Sequence, residues 1–242
     1  METLISLMRH RQSSRTPFDP ERPVAKKDML QILEAGSWAP TAHNMQNFEA
    51  IVVEDKDLLK RISEIDFPAS ETFIQENYLQ LSFSEDELKR KKTGVMGTMF
   101  PKSWLHPGLI AEHSRENEVE YPLLERHHQL LSCPALVIVL YNPARRAPAS
   151  EGDFLGIMSL GCVLENMWLM AAGLGIGFHV VSALSGDHVE EELKKLLHIP
   201  PELRVAISFR LGYPTASPAY LRVRRDLRDF VHYNHFLKKN RS

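Results

Sequence analysis

Cysteine is scarce in this chain: Cys133 and Cys162 are the only two in 242 residues, and they form no CxxC or metal-spaced cluster. A disulfide scaffold is thereby excluded, and both thiols are expected to pack as small apolar groups in a reducing compartment. An excess of charge is lacking as well, since 29 basic and 31 acidic residues leave a net charge of −2. No overall field draws the protein to nucleic acid or to an anionic membrane, so any anion site must be local. The start of the chain, "METLISLMRHRQSSR", has no long apolar run before a small-residue cleavage site, which points to a cytoplasmic protein. Repeats, low-complexity tracts and long linkers are missing too, so the expectation is one domain over 1–242 with an insertion.

One uncharged stretch, Asn166 to Leu184, is long enough to span a bilayer. Three closely spaced glycines break it, Glu165 opens it and no basic flank marks a cytoplasmic side, so no membrane span is expected.

What is present is a composition 43% hydrophobic and 25% charged, enough to bury a full core. A short helix is expected over residues 2–10. "KKDMLQILEAGSWAP" predicts a helix with Met29, Leu30, Ile32 and Leu33 on one face, ended by Gly36 and Pro40. "FEAIVVED" reads as a strand and "KDLLKRISEI" as an amphipathic helix. "CPALVIVLY" is apolar on both faces and predicts a buried central strand. Residues 153–173, with Asp153 as N-cap, are apolar around nearly the whole circumference, which predicts a helix buried on most sides. Its small residues Gly156, Ser159, Gly161 and Cys162 would let a partner helix or subunit approach. "FHVVSAL" then predicts a strand, "DHVEEELKKLLHIP" a capped helix and "LRVAISFRLGYP" another strand. From about 66 to 120 the pattern weakens into an insertion, partly helical and mobile. The C-terminal tail from about 215 to 242 is basic and could reach across a neighbour.

"AAGLGIGFHVV", residues 171–181, resembles a phosphate loop, but a dinucleotide site needs strand, glycine turn and helix in that order. Here the order is helix to strand, which puts the glycines at the negative end of the helix dipole. The expectation is that Gly173 or Gly175 takes a left-handed conformation after the helix, and that Gly177 permits close packing where the strand begins. Two basic runs suit a phosphate better. "RHRQSSRTPF" gathers Arg9, Arg11 and Arg15 with Ser13 and Ser14, and "RVRRDLR" offers Arg222 and Arg224 at alternate positions. No metal site is expected. His106, His113, His127 and His128 have no HExxH pattern or spaced carboxylate, and adjacent histidines on a helix cannot face one ion.

A third segment, Ala39-Pro40-Thr41-Ala42-His43-Asn44-Met45-Gln46-Asn47-Phe48, follows the first basic run, and Gly212-Tyr213-Pro214 precedes the second. With Arg11-Gln12-Ser13-Ser14-Arg15, these ordered motifs resemble the nitroreductase family of FMN-dependent oxidoreductases over about 1–55 and 130–235. The resemblance implies an α+β nitroreductase-like fold with a mixed central sheet flanked by helices. It also implies an intertwined homodimer with FMN at the subunit interface, C-terminal extensions exchanged between subunits, and 153–173 as the dimer helix.

Carried over by position, Arg11, Ser13, Arg15 and Arg224 hold the FMN phosphate, with Arg222 as a helper and Gln12 and Ser14 in the same loop. Pro40, Thr41, Ala42 and Asn44 line the isoalloxazine ring or ribityl chain, Gln46 acts across the interface, and Val181, Ser182 and Ala183 lie by the ring. NADH or NADPH is the implied electron donor and a nitroaromatic, quinone or other small molecule the acceptor, in ping-pong turnover centred on the flavin. No catalytic side chain is assigned. Asn47 departs from the family's usual proline and Gln12 from its usual Arg or His, which bears on substrate preference. The insertion occupies the place of the substrate lid, where Met99, Phe100 and Trp104 either line a substrate pocket or pack the insertion. Alternatives are a protein that consumes, stores or senses FMN, a flavin-dependent dehalogenase-like enzyme, and, more distantly, a nucleic-acid binder.

Overall fold

The computed structural model describes residues 3–65, 82–96, 126–216 and 221–236. In chain order it contains α1 (Leu4–His10), α2 (Lys26–Ser37), β1 (Glu49–Val53), α3 (Lys56–Ser63), β2 (Ser82–Phe83), α4 (Glu85–Lys91), β3 (Val95–Met96), α5 (Arg126–Leu131), β4 (Ala135–Tyr141), α6 (Phe154–Gly173), β5 (Gly177–Val180), α7 (Asp187–Leu197) and β6 (Arg204–Gly212). The chain divides into a unit of Met1–Pro68 with Leu124–Pro218 and a unit of Ala69–Leu123 with Ala219–Ser242.

The first unit is built on a four-stranded sheet in the order β1-β4-β6-β5. Its interior strand β4 is buried from Ala135 through Leu140, because both faces are covered. Leu136, Ile138 and Leu140 face Leu59 and Ile62 of α3 and Val189 and Leu193 of α7. Ala135, Val137 and Val139 face Met29 and Ile32 of α2 and Val163 and Met167 of α6. Period-2 alternation on an all-apolar strand thus feeds two cores, as "CPALVIVLY" predicts. The α+β class agrees with expectation. Among the described residues, however, every pairing in the sheet is antiparallel, where a mixed sheet was expected. Strands β4 and β5 run in the same direction and are joined through α6, but they are separated by β6, which is antiparallel to both.

Helix α6 departs from the expectation of burial on most sides: of its 20 residues only Val163, Met167 and Ala171 are buried. These lie near one generatrix of the helix and pack against α2, where Gly36 admits Met167 and Asn166 Nδ2 donates to the Ala35 carbonyl at 3.1 Å. On the opposite side Phe154 and Met158 are 65% and 53% exposed, and Ile157 on the flank is 51% exposed. The helix is apolar all round because it has a second face that the described residues leave exposed. Among the described residues it is also the one helix long and apolar enough to cross a bilayer. Asp153 sits at the N-cap position, but its side chain makes no capping bond. The neighbouring acid raises the Tyr141 pKa, after burial, through charge and a hydrogen bond.

The glycine stretch resolves as expected. Gly175, at φ 71°, takes the left-handed position after α6, and Gly177 opens β5 in close quarters. A Cβ on Gly177 would lie 2.8 Å from atoms of both Phe18 and Pro214. The strand is shorter than "FHVVSAL" suggests: it stops at Val180, and Ser182–Ser185 form a 3₁₀ turn. Leu30, placed with the apolar face of α2, is 55% exposed. Cys133 is buried and desolvation pushes its thiol pKa up to about 12, while Cys162 is half-buried.

In the second unit, β2 and β3 form a two-stranded parallel ladder around α4. Ser84 begins α4 with a reciprocal capping box to Glu87, so part of the insertion is helical, as its charged pattern predicts. Lys92 at the end of α4 is ion-paired with Asp226. The expected mobility of the insertion falls largely on residues outside those described.

Candidate functional site

The N-terminal basic run is an extended segment with alternating burial. Ser14, Thr16 and Phe18 are 5%, 3% and 1% exposed, whereas Ser13, Arg15 and Pro17 between them are half-exposed. The inward residues are tied to the sheet: the Ser14 amide donates to the Phe178 carbonyl of β5 at 2.8 Å, and Phe18 bridges to Pro214. Period 2 then turns Ser13 and Arg15 together to the other side.

Arg11, the residue after α1, lies against α6. Its guanidinium carbon is 4.2 Å from the Trp168 ring centroid and its Nε is 3.3 Å from Glu165 Oε1. Trp168 fixes the same loop by donating from Nε1 to the Gln12 carbonyl at 3.2 Å, and it stacks on Phe178 at 4.8 Å. At 100° per residue, Glu165 and Trp168 share the side of α6 that carries Phe154, Met158 and Gly161. The arginine therefore borders the uncovered apolar stripe.

Under this segment lies a group that the sequence reading missed. Arg210 of β6 has 0% exposure, and its Nε donates to Nδ1 of His179 at 3.0 Å. His179 is a neutral acceptor there; desolvation, with the charges of Arg210 and then Arg15, lowers its pKa well below the usual 6.5. In the unfolded chain the imidazole takes up a proton as pH falls through about 6.5, whereas the folded ring does not, so protons favour unfolding. Stability is expected to decline below about pH 6.5 by up to ~1.4 kcal/mol per pH unit from this residue until the depressed folded pKa is reached. Denaturant titrations from pH 7.5 to 5 should show that slope, and His179→Gln should flatten it; equal slopes would remove His179 as its source.

The second motif is also placed. Ala39 is buried and Pro40, Asn44 and Gln46 are exposed, with Thr41 and Ala42 half-buried. The Ala42 amide donates to Ser159 Oγ of α6 at 3.0 Å, and the Gln46 amide donates to Thr41 Oγ1 at 3.1 Å. His43, Asn44 and Gln46 have φ of 50°, 52° and 46°, a concentration of left-handed non-glycine residues of the kind found where backbone strain serves a site. Asn47, in place of the family's proline, donates from Nδ2 to the carbonyls of Asn142 (2.8 Å) and Arg145 (3.1 Å) and accepts from the Asn142 amide at 3.2 Å. It staples the motif to the turn after β4, a role no proline has the donors to fill.

Within one chain the two motifs are not brought together. Gln12 attaches to α6 at Trp168 and Ala42 at Ser159, nine positions apart, which at about 100° per residue puts them on opposite sides of the helix. Val181 is buried at the end of β5, its amide donating to the Ser208 carbonyl at 2.7 Å; Ser182 is exposed and Ala183 half-buried. Arg222 and Arg224 belong to the second unit, exposed on a stretch without regular structure. Met99, Phe100 and Trp104 lie outside the described residues, as do the side chains of His106, His113, His127 and His128.

A groove of about 940 Å³ between α2, α3 and β1, floored by Met29, Leu33, Val52, Leu59 and Cys133, contains none of these motif residues. Its lining also carries the charged residues Glu21, Lys26, Glu54, Lys56, Asp57 and Lys60, with Lys56 Nζ ion-paired to Glu21 at 3.1 Å. The candidate site is therefore assigned by the motifs, whose polar groups are held in place by the fold.

Comparison with known proteins bears on this arrangement. In structure the chain is similar to nitroreductase A from Vibrio parahaemolyticus, with a TM-score of 0.62 and 16% identity, covering 99% of this chain and 79% of that one. It is similar to an FMN-dependent nitroreductase from Clostridium difficile, with a TM-score of 0.59 and 16% identity over 96% and 100% of the two chains. An NADPH:FMN oxidoreductase from Vibrio harveyi, complexed with NAD+, gives a TM-score of 0.60 and 16% identity over 98% and 79%. No curated protein matches the sequence. A sequence profile described as the Nitroreductase family matches residues 8–213, from the N-terminal basic run to the end of β6. With that match running through both motifs and the whole central sheet, the chain belongs to the nitroreductase family.

Proposed function

We propose that the protein is an FMN-dependent NAD(P)H oxidoreductase that works as a homodimer in the cytoplasm, with a nitroaromatic, quinone or related small molecule as acceptor. The observation that carries the reading is the position of the arginine loop: Arg11 rests on Trp168 and Glu165 at the end of the exposed apolar stripe of α6. A second copy seated on that stripe would meet the phosphate loop, and the motif at 40–46, on the far side of its own helix, would come to the cofactor from another chain. One nitroreductase-like domain, with the insertion as a lid and the tail from about 215 exchanged between subunits, completes this organisation.

The residues present fit the cofactor. Ser13 and Arg15 face outward from an anchored strand and offer a hydroxyl and a guanidinium to a phosphate monoester, joined by Arg11 and by Arg222 and Arg224 of the tail. Gln12 and Ser14 give the loop its backbone attachments. Pro40, Thr41, Ala42, Asn44 and Gln46 line the ring or ribityl chain, with Val181, Ser182 and Ala183 at the ring edge. Bound FMN supplies two-electron exchange between the nicotinamide and the acceptor. The chain's own task is to orient the ring, hold the phosphate and leave one face open to both substrates in turn.

Arg11→Ala and Arg224→Ala are each expected to purify folded but depleted of flavin, because charge-assisted phosphate contacts are lost. Retained flavin stoichiometry in both variants would sink the site assignment. Anaerobic bleaching of the wild-type flavin by NADH or NADPH, reversed by an acceptor panel, tests turnover. Bleaching without reversal would point to a flavin-handling role instead.

A further inference from the structure

We infer that Arg210 is a positioning residue that sets the register of the N-terminal phosphate loop and thereby controls affinity for the phosphate end of the cofactor. The inference rests on the assignment of Ser13 and Arg15 to that phosphate.

Its guanidinium is fully buried and spends its donors on the loop and its supports. Nη2 donates to the carbonyls of Ser14 at 3.2 Å and Thr16 at 2.8 Å; Nε donates to His179 Nδ1 at 3.0 Å, and Nη1 to the Gln129 carbonyl at 3.4 Å. The guanidinium carbon stands 4.2 Å from the Phe18 ring centroid. From the neighbouring strand, the Phe178 carbonyl holds the Ser14 amide at 2.8 Å. The inward residues Ser14, Thr16 and Phe18 are thus each pinned, at alternate positions of one extended segment.

Side-chain period 2 makes this register decisive. A slip of one residue would turn Ser13 and Arg15 inward and present Ser14 and Thr16 in their place. Arg210 grips two carbonyls two residues apart with one nitrogen while a second nitrogen is fixed on His179, and this requires a rigid planar fork. Lysine keeps the charge but concentrates its donors on one atom.

The test is the pair of dissociation constants for FMN and riboflavin, measured by flavin fluorescence quenching with the full chain stripped of flavin. Riboflavin lacks the phosphate, so loss of overall stability weakens both ligands while loss of the loop register weakens only FMN. Arg210→Lys is expected to weaken FMN by about tenfold or more, with riboflavin changed by less than about twofold, and Arg210→Met to abolish the preference for FMN. Equal weakening of both ligands, or an unchanged FMN preference in both variants, would overturn the inference while leaving the phosphate assignment intact. A wild type with no preference for FMN would overturn the assignment and the inference with it.

If neither variant folds, amide exchange in flavin-free wild type decides. Protection of residues 14–16 matching that of β6 supports a loop fixed before the cofactor binds, and exchange at unstructured-loop rates overturns it.

Discussion

Gly212→Ala is expected to lose about 3 kcal/mol of stability, equivalent to a fall in Tm of roughly 6–12 °C for a chain of this size. A Cβ there would meet Pro134 Cδ at 2.7 Å and Phe18 Cδ2 and Cβ at 2.8 and 2.9 Å. Pro134 is a ring closed on the backbone and Phe18 is wedged against the guanidinium of Arg210, so neither yields without moving main chain. Gly212 also pairs with Gly177, whose own Cβ would meet Phe18 and Pro214, so β5 and β6 approach the N-terminal segment through a double glycine window. Gly36→Ala provides the comparison. Its nearest obstacle is Met167 Cε, at the free end of a flexible side chain, and alanine improves the helix backbone. Denaturant unfolding of the two variants checks the ranking; a loss in Gly212→Ala no greater than in Gly36→Ala would contradict the packing account.

Met158→Asp is expected to convert the proposed dimer to a monomer and to remove flavin from the purified protein. Met158 is 53% exposed on the stripe it shares with Phe154 and Ile157, so within one chain a carboxylate there costs almost nothing. Buried between two copies, each carboxylate would be desolvated without a counter-charge and would face its symmetry mate, at a cost of several kcal/mol per interface. Light scattering gives the mass and the absorbance spectrum gives the flavin content. A dimer of unchanged affinity would move the interface elsewhere. A flavin-replete monomer would place the whole site within one chain.

Much of the fold is legible in the residues because local periodicity carries it. The all-apolar run of β4 can only lie inside a sheet covered on both faces, and the apolar spacing of α2, α3 and α7 matches single buried faces. The order of helix, glycine and strand over 171–181 was legible too, and α6 and β5 flank Gly175 as that order implies. Helix α6 misled because hydrophobicity records burial in any environment, and a composition apolar all round does not tell a core from an interface. The nitroreductase motifs point to residues, but not to which chain each serves.

Arg210 was missed for a related reason. An arginine in "LRVAISFRLGYP" reads locally as an outward polar position, and the carbonyls that justify its burial come from residues nearly two hundred positions earlier. Its one local sign is an arginine flanked by buried Phe209 and Leu211 in a strand otherwise almost free of charge.

The sequence by itself therefore determined most of the elements, the α+β class, the family and the motifs proposed to hold the cofactor, since each depends on residues close along the chain. Only the tertiary structure decided the antiparallel pairing of the sheet, the uncovered face of α6, the attachment of the two motifs to opposite sides of that helix and the buried grip of Arg210 on the loop. Those depend on which distant backbone groups must satisfy one another once water is excluded, and no local pattern encodes that.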